Sequence, residues 1–319
     1  MTLYYAFNGD ADGLCALQQL RLANPREAAL VTGVKRDIAL LGRVPAAAGD
    51  ECIVLDVSLD VNRGPLLELL SRGVSVRYFD HHHAGEVPDH PRLETFLDPS
   101  PEVCTSLLVD RYLAGKYHLW AITGAFGDSL TTEATALSDA FGLAAGAVST
   151  LRELGVCLNH NAYGETVADL HVPPAELAER IAGYRSPLDL AESDLYRLLA
   201  GGYHDDMQHA ARLEPTRRAP GAILFVLPDA AWARRASGSI ANDRANAHPD
   251  SAIAVLTPKA KGGYVVSVRV PVTSSVAADA FCRRYETGGG RRTAAGINHL
   301  PPSDVERFAA DFVAELGGR

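Results

Sequence analysis

YYAFNGDADG at residues 4–13 is an apolar run that ends in an acidic turn. The same order recurs in IVLD at residues 53–56 and in VSVRYFDHHH at residues 74–83. Short apolar runs of this kind, separated by helical periodicity, predict the strands of an open, parallel α/β sheet. The carboxyl ends of parallel strands converge on one crevice, so residues that are far apart in the sequence can meet there. We therefore expect a metal site at this edge of the sheet.

The hydrophobic pattern predicts two domains. Up to about residue 85 it alternates as expected for βαβ units, with a strand at 28–32 and helices at 13–22 and 60–70, the second capped by Asp60. Residues 101–201 read as mostly helical, with loops at 124–128 and 171–174. After residue 221, strand and helix patterns indicate a second, smaller α/β unit. We predict a parallel-sheet catalytic domain over 1–200, a linker over 201–220 and a substrate-binding domain over 221–319.

Composition favours an enzyme in the cytoplasm. No apolar stretch is long enough to span a bilayer, and no basic segment leads into an apolar one near residue 1. The five cysteines are scattered, which predicts reduced packing residues instead of disulfides or a zinc cluster. The net charge of −9 is uneven: residues 1–215 carry 16 Lys and Arg against 30 Asp and Glu, whereas residues 216–319 carry 14 against 9. An acidic part suits cations and a basic part suits phosphates.

The first acidic turn has the oxygen donors that hard divalent cations prefer. Asn8, Asp10 and Asp12 alternate there, so a tight turn can aim them at one point. A calcium-binding helix-loop-helix is disfavoured because the loop would start with Asn8 and would have Gln19 where a bidentate Glu is needed. A simple helix-capping turn would explain one of the two Asp residues but not both.

The histidine run supplies a second kind of ligand. Neutral imidazole binds manganese, iron or zinc, and a carboxylate beside it can fix its tautomer. His81 and His82 follow Asp80 directly, and at least one residue of the run should face solvent. Asp56 ends a central strand and could bridge two ions, while Asp128 is a loop acid that gains meaning only from this ensemble.

Taken together, these motifs resemble the DHH phosphoesterase superfamily, whose members carry four such motifs in this order. The glycine-rich stretch at 288–290 resembles the DHHA1-type domain that accompanies them, so the resemblance covers nearly the whole chain. In layout the chain is most similar to the bacterial branch of oligoribonucleases that also dephosphorylate adenosine 3′,5′-bisphosphate. The resemblance implies one or two manganese ions, with magnesium as an alternative. Their implied ligands are Asp10, Asp12, Asp56, His81 and Asp128, with Asp56 bridging. Asn8 is not implied by the resemblance, but its amide oxygen could add a neutral ligand.

By the same resemblance, Asp80 would support the site and His82 would contact the scissile phosphate or assist the leaving group. The chain departs from the family in two places. Many relatives have a histidine shortly before the Asp-x-Asp pair, where this chain offers Ala6 or Asn8, so one of the two metal positions is expected to be weaker. The family's glycine-rich motif commonly continues with histidine, where this chain has Arg291.

Basic and glycine residues are the predicted substrate contacts. Glycine lets backbone amides approach a phosphate, and a guanidinium can hold one with paired hydrogen bonds. A glycine turn with exposed arginines is the alternative for this segment, and an amphipathic surface helix is the alternative for Arg244. Lys35 and Arg36, which follow the second strand, are further candidates. The predicted substrate-binding residues are Gly288, Gly289, Gly290, Arg291, Arg292 and Arg244.

These features predict a manganese-dependent phosphoesterase that acts on short oligonucleotides or nucleotide phosphates such as adenosine 3′,5′-bisphosphate. A RecJ-like exonuclease would need a basic groove with stacking aromatics, and the acidic chain with 7% aromatic residues favours shorter substrates. Hydrolysis of cyclic dinucleotides and a binding scaffold without turnover stay open as alternatives. The expected partner is a nucleotide or short single strand and not a membrane, and the sequence leaves the oligomeric state open.

Overall fold

The structure is a computed structural model that describes residues 1–317. Its contacts divide the chain into two compact units, Met1–Tyr203 and His204–Arg319. Within the described residues, no helix has both the length and the apolar character needed to cross a bilayer. All five cysteines are buried and free, as expected for packing residues.

The first unit is built on a five-stranded parallel sheet. Its strands are ordered β2-β1-β3-β4-β5 across the sheet and all pair in parallel. This confirms the predicted parallel α/β fold, although β5 had not been predicted. The strands span Leu3–Asn8 (β1), Ala29–Gly33 (β2), Glu51–Leu55 (β3), Ser75–Asp80 (β4) and Leu93–Leu97 (β5).

Both faces of this sheet are covered, which explains why its strands read as nearly continuous apolar runs. Along β3 the side chains alternate: Ile53 and Leu55 join one buried cluster, and Cys52 and Val54 join the other. The first cluster includes helix α1 (Ala11–Ala23), and the second includes α2 (Leu59–Ser71). Helix α2 has Ser58 in the capping position, so the prediction that Asp60 caps it is wrong.

Seven further helices follow β5, and the boundary between the two units falls within the last of them. The sequence predicted a loop at 124–128, but Gly124 to Gly127 form the end of helix α4 and Asp128 directly follows it. That prediction is wrong because these glycines serve close packing: a Cβ at Gly124 would collide with the Ser106 side chain. The helices span Thr105–Tyr112 (α3), His118–Gly127 (α4), Thr131–Ala140 (α5), Ala145–Ala162 (α6), Pro174–Ile181 (α7), Pro187–Ala191 (α8) and Asp194–Ala211 (α9).

The second unit contains a six-stranded mixed sheet in the order β10-β11-β9-β8-β7-β6. Only β7 and β8 pair in parallel. Helices α11 and α12 cover one face and α10 the other. Residues 201–220, predicted as a linker, contain the end of α9 and strand β6. The elements are Arg217–Ala219 (β6), Ala222–Val226 (β7), Ala231–Ala247 (α10), Ala252–Pro258 (β8), Tyr264–Arg269 (β9), Ala278–Cys282 (α11), Gly288–Gly290 (β10), Ala294–Leu300 (β11) and Val305–Leu316 (α12).

Candidate metal centre

The register of the parallel sheet brings the acidic motifs together. Phe7 of β1 is aligned with Leu55 of β3, and Leu55 is aligned with Phe79 of β4. The residues that follow these three positions therefore emerge side by side at one edge of the sheet. They are Asn8, Asp56 and Asp80, one from each motif quoted at the outset.

Asp56 lies where β3 ends and adopts a left-handed backbone conformation with φ of 58°. Asp tolerates this region better than most residues, and non-glycine residues held there are concentrated at functional sites. The Asp56 amide donates to the Phe79 carbonyl at 3.0 Å, which anchors the turn to β4. Its buried carboxylate accepts from the Thr105 hydroxyl at 3.4 Å. The turn therefore holds this carboxylate in the centre of the site.

The three histidines that follow β4 have different surroundings. His81 and His82 each lie beside buried carboxylates, whereas His83 is exposed. His81 Nε2 lies 3.4 Å from Asp56 Oδ1 and 3.8 Å from Asp128 Oδ2. His82 Nδ1 lies 2.6 Å from Asp80 Oδ1, and this hydrogen bond raises the pKa of His82. His83 is exposed, which agrees with the expectation that one residue of the run faces solvent.

The two acids of the first motif also stabilise helix N-termini. Asp10 caps α1 by accepting the Gly13 amide at 3.1 Å. The buried carboxylate of Asp12 accepts the amides of Thr105 and Ser106, each at 2.7 Å, at the start of α3. Amides at a helix N-terminus stabilise an anion. The capping alternative thus describes Asp10, while Asp12 links α1 to a helix more than 90 residues away.

Lys35 inserts its ammonium group into this acidic cluster. Its Nζ lies 2.5 Å from Asp10 Oδ2, 3.0 Å from Asn159 Oδ1 and 3.5 Å from Asp128 Oδ1. Burial lowers the pKa of Lys35, but Asp10, Tyr163 and Asp128 outweigh burial and raise it well above its ordinary value. The sequence suggested Lys35 only as a substrate contact. Asp128, just after α4, and Asn159, in α6, lie roughly 90 and 120 residues after Lys35 in the chain, and no local sequence pattern indicates these contacts.

The cluster carries more negative charge than these protein groups compensate. Burial raises the pKa of Asp56 well above its usual value, and the neighbouring Asp10, Asp12 and Asp128 raise it further. Burial and the same kind of repulsion raise the pKa of Asp128 to about 6. Crowded carboxylates of this kind favour either a proton or a bound cation.

The donor set fits a hard or borderline divalent cation. The possible ligand atoms of Asp56, His81 and His82 lie within 4.8 Å of one another, and so do those of Asp12, His81 and Asp128. The Asn8 side chain is only 4% exposed, and within residues 1–317 no group donates a hydrogen bond to its Oδ1. A buried oxygen without a donor is costly unless something else satisfies it. It is therefore available as the neutral ligand that the sequence predicted.

The predicted substrate contacts all lie in the second unit. Residues 288–290 form strand β10, where a Cβ at Gly288 would strike the Cys282 carbonyl and one at Gly290 would lie 2.5 Å from Ala295 Cα. Close packing therefore accounts for these two glycines, whereas Gly289 faces open space. The tight turn after β10 exposes both arginines that follow it.

Arg292 and Arg244 both donate to backbone carbonyls of their own unit. Arg292 donates to the Ser274 carbonyl at 3.0 Å. Arg244 donates to the Ala210 carbonyl at 2.8 Å and lies over the Phe225 ring, 5.4 Å from its centre. Arg244 thus stabilises the end of α9, and its role in substrate binding stays a prediction.

Known structures share this fold at low sequence identity. No family model and no curated protein matches the chain. A RecJ exonuclease bound to manganese is 18% identical, with a TM-score of 0.62 over 98% of this chain and 89% of that one. RecJ from Thermus thermophilus, in complex with Mn²⁺, is 20% identical with a TM-score of 0.62, and the chain spans only 51% of it. PggH from Vibrio cholerae, a pGpG-specific phosphodiesterase, is 12% identical with a TM-score of 0.59 over 99% of both chains.

These likenesses confirm the fold that the sequence resemblance implied. They extend over both units of the chain, so the second α/β unit belongs to the shared architecture. None of these three structures is described as an oligoribonuclease, and the choice of that branch stays a prediction.

Proposed function

We propose that this chain is a manganese-dependent phosphoesterase of the DHH superfamily that hydrolyses short linear oligonucleotides or nucleotide phosphates. The observation that carries the proposal is that two candidate ligand groups, Asp12–His81–Asp128 and Asp56–His81–His82, converge on His81. The manganese found with RecJ structures of the same fold supports the choice of metal. Substrate size is argued from the match with the pGpG-specific phosphodiesterase, since each chain covers 99% of the other.

Four residues of the chain would hold the metal: Asp12, Asp56, His81 and Asp128. When bound there, manganese supplies Lewis acidity toward a phosphoryl oxygen and lowers the pKa of coordinated water. Asp56 would be held for this role by its turn, because its amide donates to the Phe79 carbonyl and its carboxylate accepts from the Thr105 hydroxyl. Asp12 keeps its orientation through the two α3 amides.

His82 is the proposed acid that protonates the leaving oxygen. Asp80 is fully buried and holds His82 Nδ1 at 2.6 Å, while the His82 side chain remains 42% exposed and can meet a substrate. The raised pKa keeps a larger fraction of the imidazole protonated near neutral pH. As a water oxygen forms a new bond to phosphorus and releases a proton to solvent, the bond to the leaving oxygen breaks and that oxygen takes the proton from His82. Asp80 holds the imidazole in its orientation throughout.

Hydrolysis of defined substrates tests this proposal. Purified protein with Mn²⁺ is incubated with adenosine 3′,5′-bisphosphate, di- to pentaribonucleotides, a cyclic dinucleotide and long single-stranded DNA, and the products are separated by chromatography. Asp56→Asn is the informative variant because Asn also tolerates a positive φ, so the turn is kept while the charge is lost. Asp139→Asn removes the same charge from an exposed position in α5 and serves as the control.

We expect turnover of the short substrates, a loss of about 100-fold or more in Asp56→Asn, equivalent to about 2.7 kcal/mol in barrier height, and no loss in Asp139→Asn. Preferred cleavage of long single-stranded DNA would favour the exonuclease alternative. Tight binding of a nucleotide without turnover in Mn²⁺, Mg²⁺ or Co²⁺ would overturn the enzymatic proposal in favour of a binding protein.

A further inference from the structure

We propose that the Lys35 ammonium group occupies one of the two cation positions of this acidic cluster, so that the chain binds a single divalent ion. The inference rests on the proposed function, because it concerns how the same site uses metal. In this proposal the Lys35 ammonium takes the place of a metal ion. The sequence had suggested that Lys35 contacts the substrate.

The first support is the way in which oxygen atoms surround the ammonium. An ammonium group has three N–H donors and no acceptor. Lys35 Nζ has three oxygen neighbours, at 2.5 Å from Asp10, 3.0 Å from Asn159 and 3.5 Å from Asp128. A small set of carboxylate and amide oxygens is also what a hard divalent ion recruits. The lysine thus uses the donor atoms that an ion in this position would need.

The second support is that the Asp10 carboxylate already holds a cation. Its Oδ1 accepts the Gly13 amide at 3.1 Å, and its Oδ2 binds Lys35. An ion bound to the Asp10 carboxylate would lie beside the Lys35 ammonium, which is 2.5 Å from Asp10 Oδ2. Two positive charges on one buried carboxylate repel each other strongly in a medium of low dielectric constant. Asp10 therefore pairs with Lys35 and does not bind manganese.

The third support is the division of the Asp128 carboxylate. Oδ1 faces Lys35 at 3.5 Å, whereas Oδ2 faces His81 at 3.8 Å. Asp128 thus bridges the ammonium and the position bounded by His81 and Asp56, as a carboxylate does between two metal ions. On that second side the candidate groups Asp12–His81–Asp128 and Asp56–His81–His82 share His81, and its Nε2, which faces both Asp56 and Asp128, can bind one ion.

The fourth support is that the backbone and its surroundings hold Lys35 in place. The Lys35 amide donates to the Ala162 carbonyl at 2.9 Å, and its carbonyl accepts from Asn8 Nδ2 at 3.3 Å. The Tyr163 ring lies 5.6 Å from Nζ, within the range of a cation–π interaction. The side chain is only 23% exposed. The two hydrogen bonds hold the Lys35 backbone between the end of β1 and the end of α6, and the Tyr163 ring lies over its ammonium.

Metal stoichiometry tests the inference without using activity. Protein saturated with Mn²⁺ by equilibrium dialysis is assayed for metal content, and its electron paramagnetic resonance spectrum is recorded. We expect one Mn²⁺ per wild-type chain, with the spectrum of an isolated ion. Lys35→Met removes the charge at similar volume and should bind two Mn²⁺ whose spectrum shows exchange coupling. Lys261→Met, at an exposed position of the second unit, should keep one.

The outcomes separate this inference from the proposed function. Two coupled ions in the wild-type chain would overturn the role of Lys35, and that measurement does not depend on any variant folding. A single ion in Lys35→Met, with circular dichroism unchanged, would also overturn it, and Lys35→Gln provides a second test if the methionine variant does not fold. The absence of any Mn²⁺ binding, in wild type and variants alike, would instead overturn the proposed metal-dependent function.

Discussion

Gly155 in α6 provides a quantitative test of how the helices position Asp128. A Cβ built on Gly155 would lie 2.9 Å from Gly127 N and closer still to the Thr123 carbonyl oxygen. Ordinary contacts begin near 3.4 Å, so Gly155→Ala requires α4 and α6 to separate by at least 0.5 Å. Asp128 directly follows the last residue of α4 and would move with it.

The expected cost combines two opposing effects. Replacing a helical glycine by alanine stabilises a helix by about 0.5–1 kcal/mol. Overpacking a close contact costs about 1–3 kcal/mol. Gly201→Ala isolates the first effect, since Gly201 lies inside α9, is exposed and has no atom within 4 Å of the position that a Cβ would occupy. We expect Gly201→Ala to raise the free energy of unfolding relative to wild type. The free energy of unfolding of Gly155→Ala should be about 1–3 kcal/mol lower than that of Gly201→Ala.

Urea unfolding, followed by circular dichroism, measures both variants against wild type, and calorimetry measures their Mn²⁺ affinity. A carboxylate displaced by half an ångström or more should weaken Mn²⁺ binding about tenfold in Gly155→Ala, with no change in Gly201→Ala. If both variants unfold at the same urea concentration, or if Gly155→Ala is the more stable, the argument that close glycine packing positions Asp128 is refuted.

Two further predictions concern Asp128 and the second unit. The pKa of Asp128 is raised to about 6, so the folded state keeps a proton that the unfolded state loses near its ordinary value of 3.8. The metal-free protein should therefore lose stability as pH rises from about 4 to 6, and Mn²⁺ affinity should increase over the same interval; urea unfolding and calorimetry at several pH values check this, and Asp128→Asn should flatten the stability profile. Arg235 holds the buried Asp206 carboxylate through Nε and Nη2, each at 2.7 Å. Arg235→Met should cost about 3–5 kcal/mol in urea unfolding, with a smaller loss in Arg235→Lys, whereas a cost below about 1 kcal/mol would contradict a stabilising role for this pair.

The parallel sheet could be predicted because its information is local. Continuous apolar runs before Asp56 and Asp80 indicated buried strands, and the rule that strand ends converge then placed these acids together. The loop predicted at 124–128 is wrong because Gly124 is helical and packs closely against another helix. The role of this glycine depends on Ser106, a residue of that helix.

The arrangement around Lys35 could not be predicted for a related reason. Its position after β2 is visible in the sequence, but Asn159 and Asp128 reach it only after α4 and α6 have packed. The charges near Lys35 in the sequence do not indicate that Asn159 and Asp128 contact it. The capping of α3 by Asp12 is equally non-local, since Thr105 is 93 residues away.

The two amides that bind Asp12 also make the site observable by spectroscopy. Each is a short, charge-assisted hydrogen bond, so the amide protons of Thr105 and Ser106 should resonate far downfield in a nuclear magnetic resonance spectrum. Any ion that draws electron density from the Asp12 carboxylate weakens both bonds and shifts both signals. A diamagnetic ion such as Mg²⁺ could thus be followed into the site through two backbone positions that no substitution needs to disturb.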